Sequence, residues 1–360
     1  MFDKHYELSL NKSYVRHWGI LEAVRELIQN ALDSESPFVY EVSEMADGSY
    51  SLILTSEFAT LSPQSLLLGA TSKADATDKI GSFGEGYKIA MLVLVREGIP
   101  VEIWNGDRHW RPFFQYSKKY DDDLLCVKET AMPIRHQGLD FFIPGLSLDV
   151  VEGVRESCLQ MQDHVGQKHS TLWGDILLEK PGKLYVGGLY ICDTKLRYGY
   201  NIKPEFMKLE RDRKTVDNWD LKTVCRDMWY STGEMDLVAQ MIQDGVPDME
   251  YAEYSAPAIV KEACYKLFRQ KYPRGIVAKS QEELHRMVKE GMTNTVFVGS
   301  AFGSLVTASS SYRTEVPRAA AKTPHEKLEA WYKEHRYHMH AKSRGPFEEL
   351  MKEAKNWRWV

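Results

Sequence analysis

The sequence lacks any apolar run of membrane-spanning length; Ile89–Val95 is too short for the roughly 20 residues a bilayer takes. The first residues, Met1-Phe2-Asp3-Lys4-His5-Tyr6-Glu7, hold no apolar signal core, so secretion is not expected. Cysteine is scarce: Cys126, Cys158, Cys192, Cys225 and Cys264 are scattered, odd in number and without CxxC spacing. That pattern fits reduced thiols in a cytoplasmic protein better than a disulfide framework or a zinc site. Positive charge is not in excess. Lysine and arginine number 46 against 51 acidic residues, a net charge of −5, so no global basic field recruits nucleic acid, although a local patch stays open. There is no internal repeat and no GxxxxGK followed by Ser or Thr, which excludes a P-loop. What is present is ordinary for a soluble globular chain: 43% hydrophobic and 27% charged residues. The 360 residues suffice for two domains with room for a small third.

The most informative stretch is Arg25-Glu26-Leu27-Ile28-Gln29-Asn30-Ala31-Leu32-Asp33, within a predicted helix from His17 to about Ser34. Steps of four and three residues place Glu26, Asn30 and Asp33 on one stripe, opposite an arc of Ile20, Leu21, Val24, Leu27, Ile28, Ala31 and Leu32. Two readings are open. One is an amphipathic surface helix whose polar side faces water. The other is a polar pocket floor. Three fixed residue types at fixed spacing arise by chance in about one chain in twenty of this length, so the stripe needs corroboration.

A glycine-rich turn supplies it. Gly81-Ser82-Phe83-Gly84-Glu85-Gly86 runs into an apolar helix expected from about Glu85 to Arg96. Glycines at these spacings let the backbone curl and expose successive N–H groups as an anion nest, and the helix adds its positive end. Lys88 sits in the first turn, where a cation gains nothing from the dipole but suits a bound anion. The residues before the turn are polar, so no strand leads into it as a dinucleotide fold requires.

Around these motifs the chain reads as strand 5–12, the helix, and a hairpin of Phe38–Ser43 with Ser49–Thr55 turned by Ala46-Asp47-Gly48. A short helix over Leu61–Leu68 follows, then polar, small residues 72–80 with the character of a lid. After the apolar helix come four strands: Val101–Trp104, His109–Tyr116, Leu124–Thr130 and Leu139–Ile143. A helix over Leu148–Met161 closes this part, an α+β sandwich with helices on one face of a mixed sheet.

Glu26-x-x-x-Asn30-x-x-Asp33, then Gly69-x-Thr71-Ser72-Lys73, then Ile80 to Lys88, resembles the ATP-binding (Bergerat) fold shared by gyrase B, Hsp90, histidine kinases, MutL and the MORC ATPases. The resemblance covers roughly residues 5–165, with Gly138 through Gly145 as the closing strand. It implies ATP and Mg²⁺ as ligands. Glu26 would be the general base for the attacking water, Asn30 the Mg²⁺ ligand, and Asp33 a support for the adenine end. The amides of Gly81, Ser82, Phe83, Gly84, Glu85 and Gly86 would wrap the phosphates, with Lys88 and Lys73 adding charge. The family's D-x-G-x-G segment is replaced: Thr55 stands where the Asp belongs, and Glu57 and Ala59 where the glycines belong. The strong carboxylate acceptor for adenine is gone there.

In the second half, Trp173–Leu178, Lys183–Cys192 and Tyr198–Ile202 read as strands and Trp219 to about Tyr230 as a helix. The run Arg211-Asp212-Arg213-Lys214 resembles the basic element that a second, transducer-type domain sends to the γ-phosphate, with Arg211 and Arg213 as candidates; a solvated charge run is the competing reading. Residues 231–271 read as helices. Gly275–Ala278, Ser280–Gly291 and Asn294–Val298 read as strand–helix–strand, Gly303–Pro317 as a flexible Ser/Thr-rich segment, and 324–360 as a basic, aromatic helical tail. His335, His338 and His340 suggest a packed set before a metal site, since no acidic or Cys ligand completes them.

The expected organisation is a nucleotide-binding domain at 1–168, a transducer-like domain at 169–271, and a small α/β unit with a helical tail at 272–360. The expected function is a Mg²⁺-dependent ATPase with nucleotide-gated lid closure and homodimer contact, acting on a protein or nucleic-acid client. The alternatives are an interaction or inhibitor module that has lost nucleotide use, and a nucleic-acid-linked ATPase.

Overall fold

Alternating burial along the strands sets the first layer. The computed structural model describes residues 3–34, 36–67, 86–207, 218–316 and 324–357, and the chain divides into two units, Met1–Ala256 and Pro257–Val360. The first unit opens with β1 (Lys4–Asn11), α1 (Ile20–Leu32), β2 (Phe38–Glu44), β3 (Tyr50–Ser56), α2 (Gly86–Arg96), β4 (Glu102–Asn105), β5 (Arg108–Ser117), β6 (Asp122–Ala131), β7 (Leu139–Leu146) and α3 (Leu148–Ser157). Leu8 and Leu10, Leu52 and Leu54, and Phe141 and Ile143 are buried two residues apart on their strands, the period that fills one face of a sheet. They share one core with Val24, Leu27 and Ile28 of α1, Ala90–Leu94 of α2, and Val151 and Val154 of α3. All of α2 from Tyr87 to Leu94 is buried, as expected of a helix that is apolar nearly all round.

The strands are ordered β1-β6-β5-β4-β7-β3-β2, and every neighbouring pair is antiparallel. This corrects the expectation of a mixed sheet. The α2 crossover connects β3 to β4, which run in the same direction. They do not pair, because β7 returns between them and bonds antiparallel to both. The segment expected to be a helix at 61–68 is a single 3-10 turn, Pro63–Leu66, within the described residues.

A second sheet follows in the same unit: β8 (Lys168–Thr171), β9 (Gly174–Leu177), β10 (Lys183–Val186), β11 (Leu189–Asp193) and β12 (Gly199–Ile202), ordered β11-β10-β12-β9-β8. The run expected as one strand at 183–192 is a hairpin. Gly187 and Gly188 take φ of +57° and +87°, the positive-φ pair that a two-residue turn needs. Then come α4 (Asn218–Ser231) and α5 (Met235–Gln243). A buried carboxylate ties these layers together. Asp248 accepts from the backbone N–H groups of Arg197 (2.6 Å) and Tyr198 (3.2 Å) and from the Tyr200 hydroxyl (2.5 Å). Trp229 of α4 donates to the same hydroxyl at 2.9 Å. Burial pushes the Tyr200 phenol and the nearby Cys225 thiol well above their usual values.

The second unit holds α6 (Ala258–Lys271), β13 (Ile276–Ala278), α7 (Gln281–Lys289), β14 (Thr295–Phe297), α8 (Ser300–Ala308), α9 (Ser310–Glu315), α10 (Pro324–His335) and α11 (Ala341–Glu353). The expected strand–helix–strand is present, with β13 parallel to β14 and the Ser280 side chain capping α7. The expected flexible segment is not: within its described part, α8 and α9 bury Leu305, Val306 and Tyr312. Its hydroxyls serve as caps, Ser309 Oγ accepting from Tyr312 N at 3.0 Å, while Glu262 accepts from Ser310 N and Oγ, both at 2.8 Å. His335 stacks on Trp331 with centroids 4.6 Å apart. Among the described residues no three His, Cys, Asp or Glu side chains gather as a metal site, and no helix is long and apolar enough to cross a membrane.

Asp248→Asn keeps the size of the side chain but replaces one acceptor oxygen with a donor facing other donors. We expect a loss of roughly 1.5–3 kcal/mol, the range for hydrogen bonds to a charged group, read as a lower urea midpoint. An unchanged midpoint would remove Asp248 from its structural role.

Candidate functional site between the first two helices

The polar stripe of α1 does not face water. Glu26 and Asp33 are 6% and 4% exposed, and Gln29 beside them is 2% exposed. The surface-helix reading is thereby overturned. Burying carboxylates costs several kcal/mol unless partners compensate, and Glu26, Gln29 and Asp33 all have such partners. Asn30 Nδ2 donates to the Glu26 backbone carbonyl at 2.7 Å. The acceptor end of that amide is then Oδ1, the atom type a hard cation takes.

The start of α2 comes against the same stripe. A Cβ built on Gly86 would lie 2.5 Å from Glu26 Oε2 and 3.0 Å from Asn30 Nδ2. Only glycine permits this approach without displacing those side chains. The Glu26 carboxylate therefore sits beside the N-terminal end of α2, where the helix dipole favours negative charge.

The next two residues each bind a backbone carbonyl. Tyr87 donates its hydroxyl to the Ser65 carbonyl, and Lys88 Nζ donates to the Leu67 carbonyl. Burial pushes the Tyr87 phenol up to about 12, so it stays a neutral donor at ordinary pH. Lys88 is 0% exposed. These bonds join the described residues on either side of the segment 68–85.

Thr55 is not brought to this stripe. Leu52 and Leu54 of β3 face the helices, so alternation turns Thr55 to the other side of the sheet, opposite Asp140 of β7. The hydroxyl on the helix side is that of Ser56, which is buried. Sequence reasoning missed Ser56, although the period-two burial of Leu52 and Leu54 carries the signal. Gly138 packs on this strand end: at φ +87°, its Cβ would lie 2.5 Å from the carbonyl oxygens of both Ser56 and Glu57. Lys73, Gly81, Ser82, Phe83, Gly84 and Glu85, and Arg211 and Arg213, lie outside the described residues.

The arrangement joins a buried carboxylate, an amide oxygen and a helix N-terminus. A carboxylate so placed can orient a water. An amide oxygen can share a hard cation with oxygens of a bound ligand, without a full protein cage.

Gly86→Ala tests this juxtaposition. The crowded atoms are side-chain ends that can move, and alanine's helix preference of about 1 kcal/mol offsets the crowding, so stability should change little. Glu26→Ala removes the nearest crowded atom. In a urea-denaturation double-mutant cycle the two changes should depart from additivity by at least about 0.5 kcal/mol. Additive effects would contradict the contact.

No family model matches the chain. A protein of Mycoplasma pneumoniae, described only as an uncharacterized protein, is 26% identical over 232 residues, which span 62% of this chain and 92% of that relative.

Proposed function

We propose that the α1 stripe and the turn into α2 form a Mg²⁺-dependent ATP site, and that the chain is an ATPase of the gyrase B, Hsp90, MutL and MORC type on a Bergerat fold. The observation that carries the reading is the seating of Gly86 on Glu26 and Asn30. Gly86, the last residue of the glycine-rich motif, thus lies against two residues of the α1 stripe that precede it by more than fifty positions. The element order β1, α1, hairpin, α2, meander supports it as well.

In this reading Glu26 orients and deprotonates the attacking water, and its burial excludes competing solvent. Asn30 Oδ1 holds the metal, and Asp33, one turn on, supports the hydrogen-bond network at the adenine end. The N–H groups leading into α2 receive phosphate oxygens. Bound Mg²⁺ supplies charge neutralisation across the phosphates. Arg211 or Arg213 supplies the transducer-type cation, and nucleotide binding drives a conformational change and homodimer contact in the cytoplasm. A protein or nucleic-acid client would be coupled to that change.

The placement of Thr55 on the other face favours one rival. If no group replaces the lost adenine acceptor, the fold serves as an interaction module without nucleotide use. Wild type should show a thermal shift and binding heat with ATP and Mg²⁺; their absence at millimolar nucleotide favours the module. Glu26→Ala should keep the binding heat while turnover falls by roughly 10²-fold or more. Asn30→Ala should raise the Mg²⁺ concentration that binding needs. Unchanged turnover in Glu26→Ala would sink the mechanism.

A further inference from the structure

Strand β1 stands first in its sheet and pairs with β6 through a bulge. Glu7 faces Cys126 and Asn11 faces Leu124, so the chain takes more residues on β1 than on β6 between these pairs. Leu8 and Leu10 both turn into the core. A cavity of about 490 Å³ opens at the end of the bulge, lined by Ser9, Asn11, Asp122, Leu124 and two tyrosines, Tyr14 and Tyr120. A second cavity of about 410 Å³ uses the same loop and is lined by Lys12, Ser13, Arg16 and Arg96. Both volumes fall in the range of ligand clefts.

Each tyrosine is followed by backbone that side chains resist. Val15 after Tyr14 and Asp121 after Tyr120 take φ of +44° and +52°, the left-handed region that non-glycine residues seldom enter. Both turns are braced. The Arg96 guanidinium donates to the carbonyls of Tyr14 (3.0 Å), Val15 (3.5 Å) and Trp18 (2.6 Å). The Tyr116 hydroxyl donates to the Asp121 carboxylate. Tyr14 and Tyr120 nevertheless remain 39% and 51% exposed. The Lys119 ammonium lies 4.8 Å from the centroid of the Tyr120 ring.

The neighbouring carboxylates have partners of their own. Asp122 accepts from Asn11 Nδ2 at 2.8 Å, Asp123 pairs with Lys12 at 2.7 Å, and Glu97 pairs with Arg96 at 3.3 Å. Arg16 and Lys118 are exposed and pair with no carboxylate among the described residues, so their charge is available to an anion. The remaining lone pairs of Asp122 suit the N–H groups of a base edge and repel phosphate, which places phosphate on the Arg16 side of the loop. Rings and cations alternate in sequence, as Tyr14-Val15-Arg16 and Lys119-Tyr120. That alternation matches the bases and phosphates of a single strand better than the uniform charge of an acidic peptide.

We propose that this loop is a binding surface for single-stranded nucleic acid, with bases stacked on Tyr14 and Tyr120 and phosphate held by Arg16 and Lys118. The Gly86 junction lies at the other end of α2 from Arg96, roughly 15 Å away along the helix, so the surface does not rest on the nucleotide reading. The test uses the full chain and a labelled oligothymidylate of about fifteen nucleotides, followed by fluorescence anisotropy at low salt. An abasic strand of the same length and an acidic peptide serve as controls. The oligothymidylate should bind, the abasic strand should bind roughly fivefold or more weakly, and the acidic peptide should not bind. Tyr14→Ala and Tyr120→Ala should each weaken binding roughly fivefold or more. Tyr14→Phe should stay within about twofold of wild type, because the ring and not the hydroxyl makes the contact. Arg16→Gln should lower the slope of log affinity against log salt by about 0.7, the share of one phosphate contact. Circular dichroism and the urea midpoint check that each variant folds. No binding of the oligothymidylate, unchanged binding in both tyrosine-to-alanine variants, or equal binding of the abasic strand or the acidic peptide would overturn the proposal.

Discussion

The first unit's chemistry depends on one close approach, the start of α2 against the polar stripe of α1. Gly86 leaves room for the Glu26 carboxylate and the Asn30 amide where any Cβ would intrude. That contact explains why a helix with three polar residues on one stripe is not a surface helix. Another helix end, carrying partial positive charge, arrives beside the Glu26 carboxylate. Remove the approach, and Glu26 becomes a buried charge with fewer compensations, which is costly.

The approach is held from behind. Helix α2 is buried along most of its length, so the sheet and α1 fix its axis. Tyr87 and Lys88 tie its first turn to the carbonyls of Ser65 and Leu67. Below it, β7 enters between β3 and β4 and brings Gly138 against the end of β3. Two separate glycines thus permit close backbone approaches at the two ends of the region, one at a helix start and one at a strand end. In the same unit, Asp248 plays an analogous part for the second sheet, gathering two backbone N–H groups and a hydroxyl where no water is needed.

Much of this was legible from local chemistry. The turn Ala46-Asp47-Gly48 announced the first hairpin, and Gly48 takes the positive φ of +80° that such a turn uses. The apolar arc of α1 announced its core face, and the α+β class followed from the order of helices and strands. What was not legible depends on distant partners. Nothing in residues 20–32 says that the opposite face will also be covered. Nothing local places β7 between β3 and β4, which is why the sheet was expected to be mixed. The Ser/Thr-rich residues Gly303–Pro317 read as flexible because hydroxyls suit loops. Here one of them caps a helix whose Tyr312 is buried. The face that Thr55 takes was hidden for a different reason. A motif's register points to Thr55, whereas strand alternation puts the buried Ser56 on the helix side.

The central claim is that the Gly86, Glu26 and Asn30 junction is a metal-nucleotide site. The most direct test is a crystal structure with Mg²⁺ and a non-hydrolysable ATP analogue. The account predicts phosphate oxygens at the backbone N–H groups leading into α2, the metal on Asn30 Oδ1, and a water between the Glu26 carboxylate and the γ-phosphate. A nucleotide bound elsewhere, or none bound at millimolar concentration with the junction unchanged, would contradict it.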